Sequence, residues 1–263
     1  MGRVRTVAGV ALAAACAASA VWGARELLRR QAAIARERIG KPLGEESIPA
    51  DRIWRRKLGG EPVELLVLGD SLAAGLGAER RKQTLGARLA KELARRMDRP
   101  VRLHTAAVVG SESSALKAQI DGLDPALRAD VAVIVVGGND VTHTVYPTTA
   151  AAQLSEAIRR LRERGTPVVV GTCPDLGMLP AVPQPLRTIL SRMSHHMSIV
   201  QARAARRAGA VPVSLRRTLS RAFREAPDEM FSLDRFHPSP AGYRRAADAL
   251  LPAVAEAALV GAA

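Results

Sequence analysis

Short apolar runs that alternate with amphipathic stretches are the feature that most constrains the fold of this chain. Residues 131–136 hold five Val or Ile in six positions, which is typical of a strand buried on both faces. In residues 84–97, by contrast, leucine or methionine recurs every four positions, which predicts an amphipathic helix. Strands that alternate with helices predict an α/β fold, in which a parallel sheet carries helices on both faces.

The same alternation continues along the chain. Aromatic residues make up only 3% of the sequence, so we expect an aliphatic core. Residues 173–185 hold four prolines and are predicted to be an irregular loop. Further strands are predicted at residues 63–68, 101–109, 168–170 and 211–213, and further helices at residues 113–120, 149–164, 186–208 and 241–260, the last kinked or split at Pro252.

The N-terminus is predicted to lie outside the domain. Residues 1–24 are mostly apolar after a basic start, which fits an uncleaved membrane anchor, a cleaved signal peptide, or a peripheral or buried helix. The first two alternatives predict a protein of the cell envelope, membrane-anchored or secreted. Basic residues flank both ends of the segment and leave its orientation open. Residues 25–60 are predicted to be a charged helical spacer and linker, and residues 61–263 a single domain.

The formal net charge is +14, and almost all of the positive charge is arginine. One interpretation is attraction to an anionic partner such as a membrane surface or nucleic acid. The alternative, which the scattered positions of the arginines favour, is solvation of helix faces. No aromatic stacking pattern accompanies them, so no nucleic-acid partner is expected. The two cysteines, Cys16 and Cys173, do not make a disulfide framework.

Glycine-containing motifs follow three of the predicted strands. They are Gly69-Asp70-Ser71-Leu72, Gly110 and Gly137-Gly138-Asn139-Asp140. Because parallel strands end at the same edge of a sheet, and ligands bind at that edge, we expect these motifs to lie together.

Ser71 and His237 are candidates for nucleophilic catalysis. A serine hydroxyl needs a base within hydrogen-bond reach, and that base needs a carboxylate to fix its tautomer. Asp234 stands three residues before His237, so that one turn can present both side chains. Taken singly, Ser71 is equally explained as a turn residue, and Asp234 and His237 as a surface pair near a helix start.

Asn139 and Gly110 are candidates for stabilising an oxyanion. The amide of Asn139 and the backbone N–H of Gly110 can each donate to developing negative charge. Singly, Asn139 fits an Asx turn and Gly110 a left-handed turn residue. Asp70 and Asp140 are interpreted as loop-shaping residues.

The three glycine-containing motifs, together with the motif Asp234-Arg235-Phe236-His237-Pro238, resemble the sequence blocks of the GDSL family of the SGNH hydrolase superfamily. The resemblance covers residues 63–263. It implies a three-layer α/β/α sandwich of flavodoxin-like topology, with Ser71 as nucleophile, His237 as base and Asp234 as its orienting carboxylate. It also implies an oxyanion hole made by Ser71, Gly110 and Asn139. The sequence departs from the family at residues 104–106, His-Thr-Ala, where members often carry Asn.

The hypothesis from the sequence is a serine esterase that needs no metal or organic cofactor. Its substrates are expected to be esters with short to medium acyl chains, or lipid or glycan esters. Met178, Leu179, Val182 and Pro183 are predicted to form the acyl wall. An acyltransferase or thioesterase on the same site, or a non-catalytic membrane-tethered domain, are the alternatives. Secondary candidates are interpreted structurally: Cys173 as a small buried residue, His143 as a loop residue, and His195 and His196 as a solvated helix face.

Overall fold

A computed structural model of the chain describes the backbone of residues 2–261 and the side chains of residues 16–261. Six strands form one sheet, in the order β1-β3-β2-β4-β5-β6. All neighbouring strands are parallel except β1, which pairs with β3 in the antiparallel sense. The strands are β1 (Ile53–Trp54), β2 (Val63–Gly69), β3 (Val101–Thr105), β4 (Val131–Val135), β5 (Val168–Gly171) and β6 (Val211–Val213).

Helices cover both faces of this sheet. They begin where the sequence provides caps: Thr84 accepts a hydrogen bond from the Ala87 N–H at 3.2 Å, and Ser214 does the same for Arg217 at 3.3 Å. The helices are α1 (Gly2–Ile39), α2 (Ser71–Ala74), α3 (Leu85–Met97), α4 (Leu116–Asp121), α5 (Gly138–Thr142), α6 (Pro147–Glu163), α7 (Leu186–Arg207), α8 (Leu215–Glu225), α9 (Pro227–Met230) and α10 (Pro240–Gly261).

The central strand β4 shows why the molecule has three layers. Every side chain of β4 is buried, and successive side chains enter different cores. Val131 and Val133 pack into the core beneath α3, α8 and α10, whereas Ala132 and Ile134 pack into the core beneath α4 and α6. A strand with both faces covered reads as a continuous apolar run, which confirms the predicted α/β/α sandwich.

Strand order places a crevice between β2 and β4. The chain leaves β2 for β3 on one side and later returns to β4 on the other side, so the connections diverge between these two strands. Their register pairs Val67 with Val133 and Gly69 with Val135 at the carboxyl ends. This is the position at which open α/β sheets bind ligands.

Several elements differ from the sequence prediction. Strand β3 ends at Thr105 rather than at residue 109, because a turn closed by the Ser111 N–H on the Val108 carbonyl (3.2 Å) follows it. Helix α10 runs unsplit through Pro252, which lies on the exposed side of the helix. The short helices α2, α5, α8 and α9 have no counterpart in the prediction, and β1 brings two residues before position 61 into the sheet.

Helix α1 continues through the predicted junction at residue 24 and ends at Ile39. Near its end, Gln31 is buried and its Oε1 accepts a hydrogen bond from the Leu186 N–H at 2.9 Å. The side chains of residues 1–15, which include most of the predicted apolar segment, lie outside the described residues. In the part of the chain that was described, no helix combines the length and the apolar character needed to cross a membrane. A signal or anchor at the N-terminus stays a prediction.

Candidate active site

Ser71 is held at the end of β2 by a close approach to β4. A Cβ on Gly69 would lie 1.8 Å from the Val135 carbonyl oxygen, so glycine alone fits there. The next residue, Asp70, donates its N–H to that same carbonyl at 3.0 Å. The Asp70 carboxylate accepts the Leu72 N–H at 3.0 Å and thereby caps α2, whose first residue is Ser71. The predicted loop-shaping role of Asp70 agrees with these contacts.

Ser71, His237 and Asp234 form a continuous chain of hydrogen bonds. His237 Nε2 lies 2.8 Å from Ser71 Oγ, and His237 Nδ1 lies 2.6 Å from Asp234 Oδ2. Asp234 is 3% exposed and also accepts the N–H groups of Phe236 and His237 on its Oδ1. Burial acts to raise the pKa of Asp234, but hydrogen bonding to His237 and the His237 charge hold this pKa below its ordinary value. Asp234 is therefore a charged, fixed partner for the imidazole.

A tight turn fixes the direction of the His237 ring. The Ser232 N–H donates to the His237 carbonyl at 2.8 Å, and Arg235 adopts the left-handed conformation within the turn, with φ of 55°. Phe236 packs edge-to-face on the imidazole, with ring centroids 4.9 Å apart. The ring is thus restrained by a bonded carboxylate and by an aromatic neighbour.

Two contacts join the serine loop to the C-terminal elements. A Cβ on Gly77 would lie 2.6 Å from the Pro238 carbonyl oxygen, so the absence of a side chain lets the two loops touch. The buried Tyr243 hydroxyl on α10 donates to the Leu76 carbonyl at 2.6 Å. Sequence reasoning missed both residues, because neither contact has a local pattern.

Asn139 lies on α5, directly after β4, and lines the same cavity as Ser71. Its Nδ2 donates to the Ser111 carbonyl at 2.9 Å, which uses one of its two amide hydrogens and leaves the second for another acceptor. Asp140 is fully buried and accepts the N–H and hydroxyl of Ser113. These bonds join α5 to the loop after β3 and agree with a loop-shaping role for Asp140.

Gly110 lies in the loop after β3, which stays beside the end of β2, because the Val108 N–H donates to the Gly69 carbonyl at 3.1 Å. It is exposed and has a φ of 82°, within the turn closed by the Ser111 N–H on the Val108 carbonyl. Ser71 and Asn139 line the apolar cavity, whereas Gly110 is not part of its lining. A role of Gly110 as an oxyanion donor stays a prediction.

Two buried glutamines fix the strand ends around the site. Gln119 forms a pair of hydrogen bonds with the backbone of Gly69, accepting from its N–H at 2.9 Å and donating to its carbonyl at 2.8 Å. Gln201 donates to the Val136 carbonyl at 3.0 Å and accepts from the Cys173 N–H at 2.8 Å. Because buried backbone groups need partners, these side chains replace the hydrogen bonds that the strands lose where they end. Sequence reasoning did not identify either residue.

The secondary candidates from the sequence, which are one cysteine and three histidines, lie apart from the proposed catalytic groups. Burial raises the pKa of the Cys173 thiol well above its ordinary value, which keeps it protonated and unreactive. His143 is exposed, lies 2.7 Å from Glu112 and does not line the cavity. His195 and His196 are exposed on α7.

A narrow apolar cavity of about 50 Å³ opens beside Ser71 and His237. Met178 and Leu179 line it as predicted, but Val182 and Pro183 do not, so that part of the predicted acyl wall is wrong. Val182 instead points into the core, where it is 2% exposed. The wall that sequence reasoning missed is provided by Leu176, Leu219, Phe223, Phe231 and Phe236.

Asp175 anchors the loop that carries Leu176 and Met178. Its carboxylate accepts hydrogen bonds from the Gly177 N–H and the Ser191 hydroxyl at 2.9 and 2.8 Å. Ion pairs with Arg216 (2.8 Å) and Arg224 (3.2 Å) compensate its buried charge. The apolar wall is thus tied to α7 and α8.

Asp70 gives the site a pH-dependent stability that can be measured. Burial raises the pKa of Asp70 from 3.8 to about 6. The folded state therefore binds this proton more tightly than the unfolded state, and its stability falls as the pH rises from about 4 to about 6, by roughly 3 kcal/mol. Asp70→Asn removes this titration, so the decrease in unfolding free energy between acidic and neutral pH should shrink by about that amount. Urea unfolding at both pH values measures it.

Asp248→Asn, at an exposed position on α10, is the matched control for the loss of one carboxylate from the protein. An Asp70→Asn protein whose stability falls as steeply as that of the parent would show that Asp70 ionises in the folded protein at its ordinary pKa.

Comparison with known proteins identifies the family of this chain. The model of the GDSL-like Lipase/Acylhydrolase family matches residues 67–245, which include Ser71, Asn139, Asp234 and His237. The chain is 39% identical over 272 residues to the GDSL-like esterase Rv1075c of Mycobacterium tuberculosis, covering 98% of this chain and 85% of that protein.

Solved structures share the fold at lower identity. A GDSL-like lipase from Parabacteroides merdae, described as putative, superposes with a TM-score of 0.62 at 18% identity, over 77% of this chain and 99% of that one. The acetyl xylan esterase AlAXEase superposes with a TM-score of 0.59 at 20% identity, over 73% of this chain and 100% of that one. By its sequence match, its close relative and its fold, this chain belongs to the GDSL-like lipase/acylhydrolase family and is a hydrolase.

Proposed function

We propose that this protein is a serine esterase that hydrolyses carboxylic esters with short acyl groups through Ser71, His237 and Asp234. The observation that carries the proposal is the unbroken hydrogen-bond chain from Asp234 through His237 to the Ser71 hydroxyl, at the mouth of an apolar cavity. A nucleophile, a base and an orienting carboxylate in this order are the requirements of acyl transfer through serine.

The reaction follows from the positions of these groups. Ser71 Oγ attacks the ester carbonyl carbon while His237 Nε2 accepts its proton, and Asp234 stabilises the resulting imidazolium. Negative charge develops on the carbonyl oxygen, where the Ser71 N–H and the second amide hydrogen of Asn139 donate to it. The C–O bond then breaks, His237 returns the proton to the leaving alcohol, and water cleaves the acyl-enzyme by the same steps in reverse.

The volume of the cavity limits the length of the acyl chain that the site can accept. An apolar cavity of about 150 Å³ accepts a molecule of benzene. The cavity beside Ser71 measures about 50 Å³ and is enclosed by side chains that are themselves packed in the core. On that scale it has room for an acyl chain of about two to four carbons. The name of the structural neighbour AlAXEase, an acetyl xylan esterase, makes acetylated glycans a substrate class to test first.

Removing the nucleophile tests the triad. Ser71→Ala should reduce kcat for p-nitrophenyl acetate by about 10⁴-fold or more and abolish labelling by an organophosphonate, with an unchanged melting temperature. Ser155→Ala, on the outer part of α6, is the matched control and should keep parental activity and labelling. Turnover by Ser71→Ala at a rate near that of the parent would disprove the assignment.

Removing the amide of Asn139 tests the oxyanion contact. Asn139→Ala should lower kcat by about 100-fold or more and change KM little, because the amide bonds to the oxyanion and not to the ground-state ester. Thr142→Ala, on the same short helix, is the control for local disturbance of α5. An effect on kcat below about threefold would remove Asn139 from the reaction.

Enlarging the cavity tests the acyl limit. Met178→Ala should shift the preferred p-nitrophenyl ester from acetate or butyrate towards hexanoate or octanoate, because it removes a side chain that lines the cavity. Val182→Ala shortens a buried residue of the same loop that does not line it, and it should keep the parental preference. The ratio of kcat/KM values across the ester series is the measurement. A parental preference in Met178→Ala, or the same shift in both variants, would contradict the proposed acyl cavity.

A further inference from the structure

A second concave surface lies between α7 and α8, away from the proposed catalytic groups. This groove measures about 490 Å³ and borders the edge strand β6 through Pro212. One face of α7 and one face of α8 form its walls. The opposite face of α8 carries Leu219 and Phe223, which line the acyl cavity. The groove and the acyl cavity are therefore separate sites on the two sides of one helix.

Arginine dominates the walls of this groove. Its lining includes one carboxylate, that of Asp175, and six arginines: Arg203, Arg206, Arg216, Arg217, Arg221 and Arg224. These arginines come from two stretches of the sequence, and the packing of α7 against β6, which α8 follows directly in the chain, brings them together. Guanidinium groups concentrated in a concave surface raise the local positive potential and attract anions.

The fold leaves much of this charge uncompensated. Arg216 and Arg224 share Asp175, which is only 2% exposed beneath them, and Arg221 pairs with Glu225 at 2.8 Å. Within the part of the chain that the structure describes, no salt bridge reaches the other three arginines, Arg203, Arg206 and Arg217. All three are exposed. An anion in the groove would relieve the repulsion among these groups.

The chemistry of the lining points to phosphate. Arginine presents a planar fork of donors that matches phosphate oxygens in a bidentate manner, and no lysine is present in the groove. Ser214, the N-cap of α8, lies on the groove wall, and the positive end of the helix dipole favours the same charge. His195 is the single aromatic side chain in the lining of the groove, and no Phe, Tyr or Trp is present there to form the stacking platforms typical of single-stranded nucleic-acid sites.

We propose that the groove between α7 and α8 is a binding site for a ligand that carries two or more closely spaced phosphate groups. Several guanidinium groups spread over two helices exceed what one phosphate can engage, and the volume is within the range of small-molecule sites. A soluble polyphosphate and a phosphorylated lipid headgroup share this chemistry. The site does not involve Ser71 or His237, so the proposal is independent of the esterase assignment.

Titration calorimetry of the full chain with inorganic pyrophosphate tests the site. The parent should bind it, and the double variant Arg203→Glu/Arg206→Glu should bind about tenfold more weakly or worse, because two charge-assisted contacts are reversed. Neither side chain has an ion pair in the described structure, so the melting temperature should be unchanged. Ser71→Ala should bind pyrophosphate as the parent does.

The matched control is Arg244→Glu/Arg245→Glu on α10, which changes the net charge equally at exposed positions outside the groove that, within the described residues, also have no salt bridge. It should retain pyrophosphate affinity within about twofold. Sedimentation with vesicles that contain a lipid with a phosphorylated headgroup tests whether the ligand is a lipid. A lipid ligand is indicated if the parent binds these vesicles, the Arg203→Glu/Arg206→Glu variant does not, and pyrophosphate displaces the parent from them. Equal weakening in both double variants would reveal general charge attraction and overturn the proposal, as would the absence of pyrophosphate and vesicle binding in the parent.

Discussion

The closeness of β2 and β4 at their carboxyl ends is the constraint on which the site depends. Gly69 lies so near the Val135 carbonyl that no side chain fits between them, and the Asp70 N–H bonds to that same oxygen. This places Ser71 on one strand end and Asn139 just beyond the other, across a gap that neither strand can widen without losing its ladder. The geometry of the sheet therefore sets the distance between the proposed nucleophile and the proposed oxyanion donor.

Different parts of the molecule hold the reactive groups and the acyl cavity. Gln119, Gln201 and Asp140 bond the strand ends and their loops. The apolar wall comes from α8 and from the loop that Asp175 anchors. The strand ends and the apolar wall are therefore held by different side chains.

The sequence predicted the features that local pattern determines. The strands of the central sheet, the long helices and the residues after β2 and β4 follow from apolar runs and turn residues. Strand β3 was predicted too long, because the apolar stretch before Gly110 suggested that the strand would continue, whereas a turn closed by Ser111 and Val108 follows it. Gln119, Tyr243 and the arginine groove could not be predicted, since their partners lie far away in sequence. Helix α8 was not predicted, although its buried apolar residues Leu215, Leu219 and Phe223 recur every four positions.

The Tyr243 hydrogen bond to Leu76 has a consequence for the order of events during synthesis. It spans 167 residues, and the Ser71–His237 contact spans 166, so the first and last elements of the domain meet at the same place. Contacts of such long range form late, because the chain between them must be ordered first. A ribosome-bound chain that has not yet released residues 234–261 therefore holds Ser71 without the imidazole that the proposed triad requires. If the proposed function holds, the nascent protein acquires ester hydrolysis only once these residues have docked.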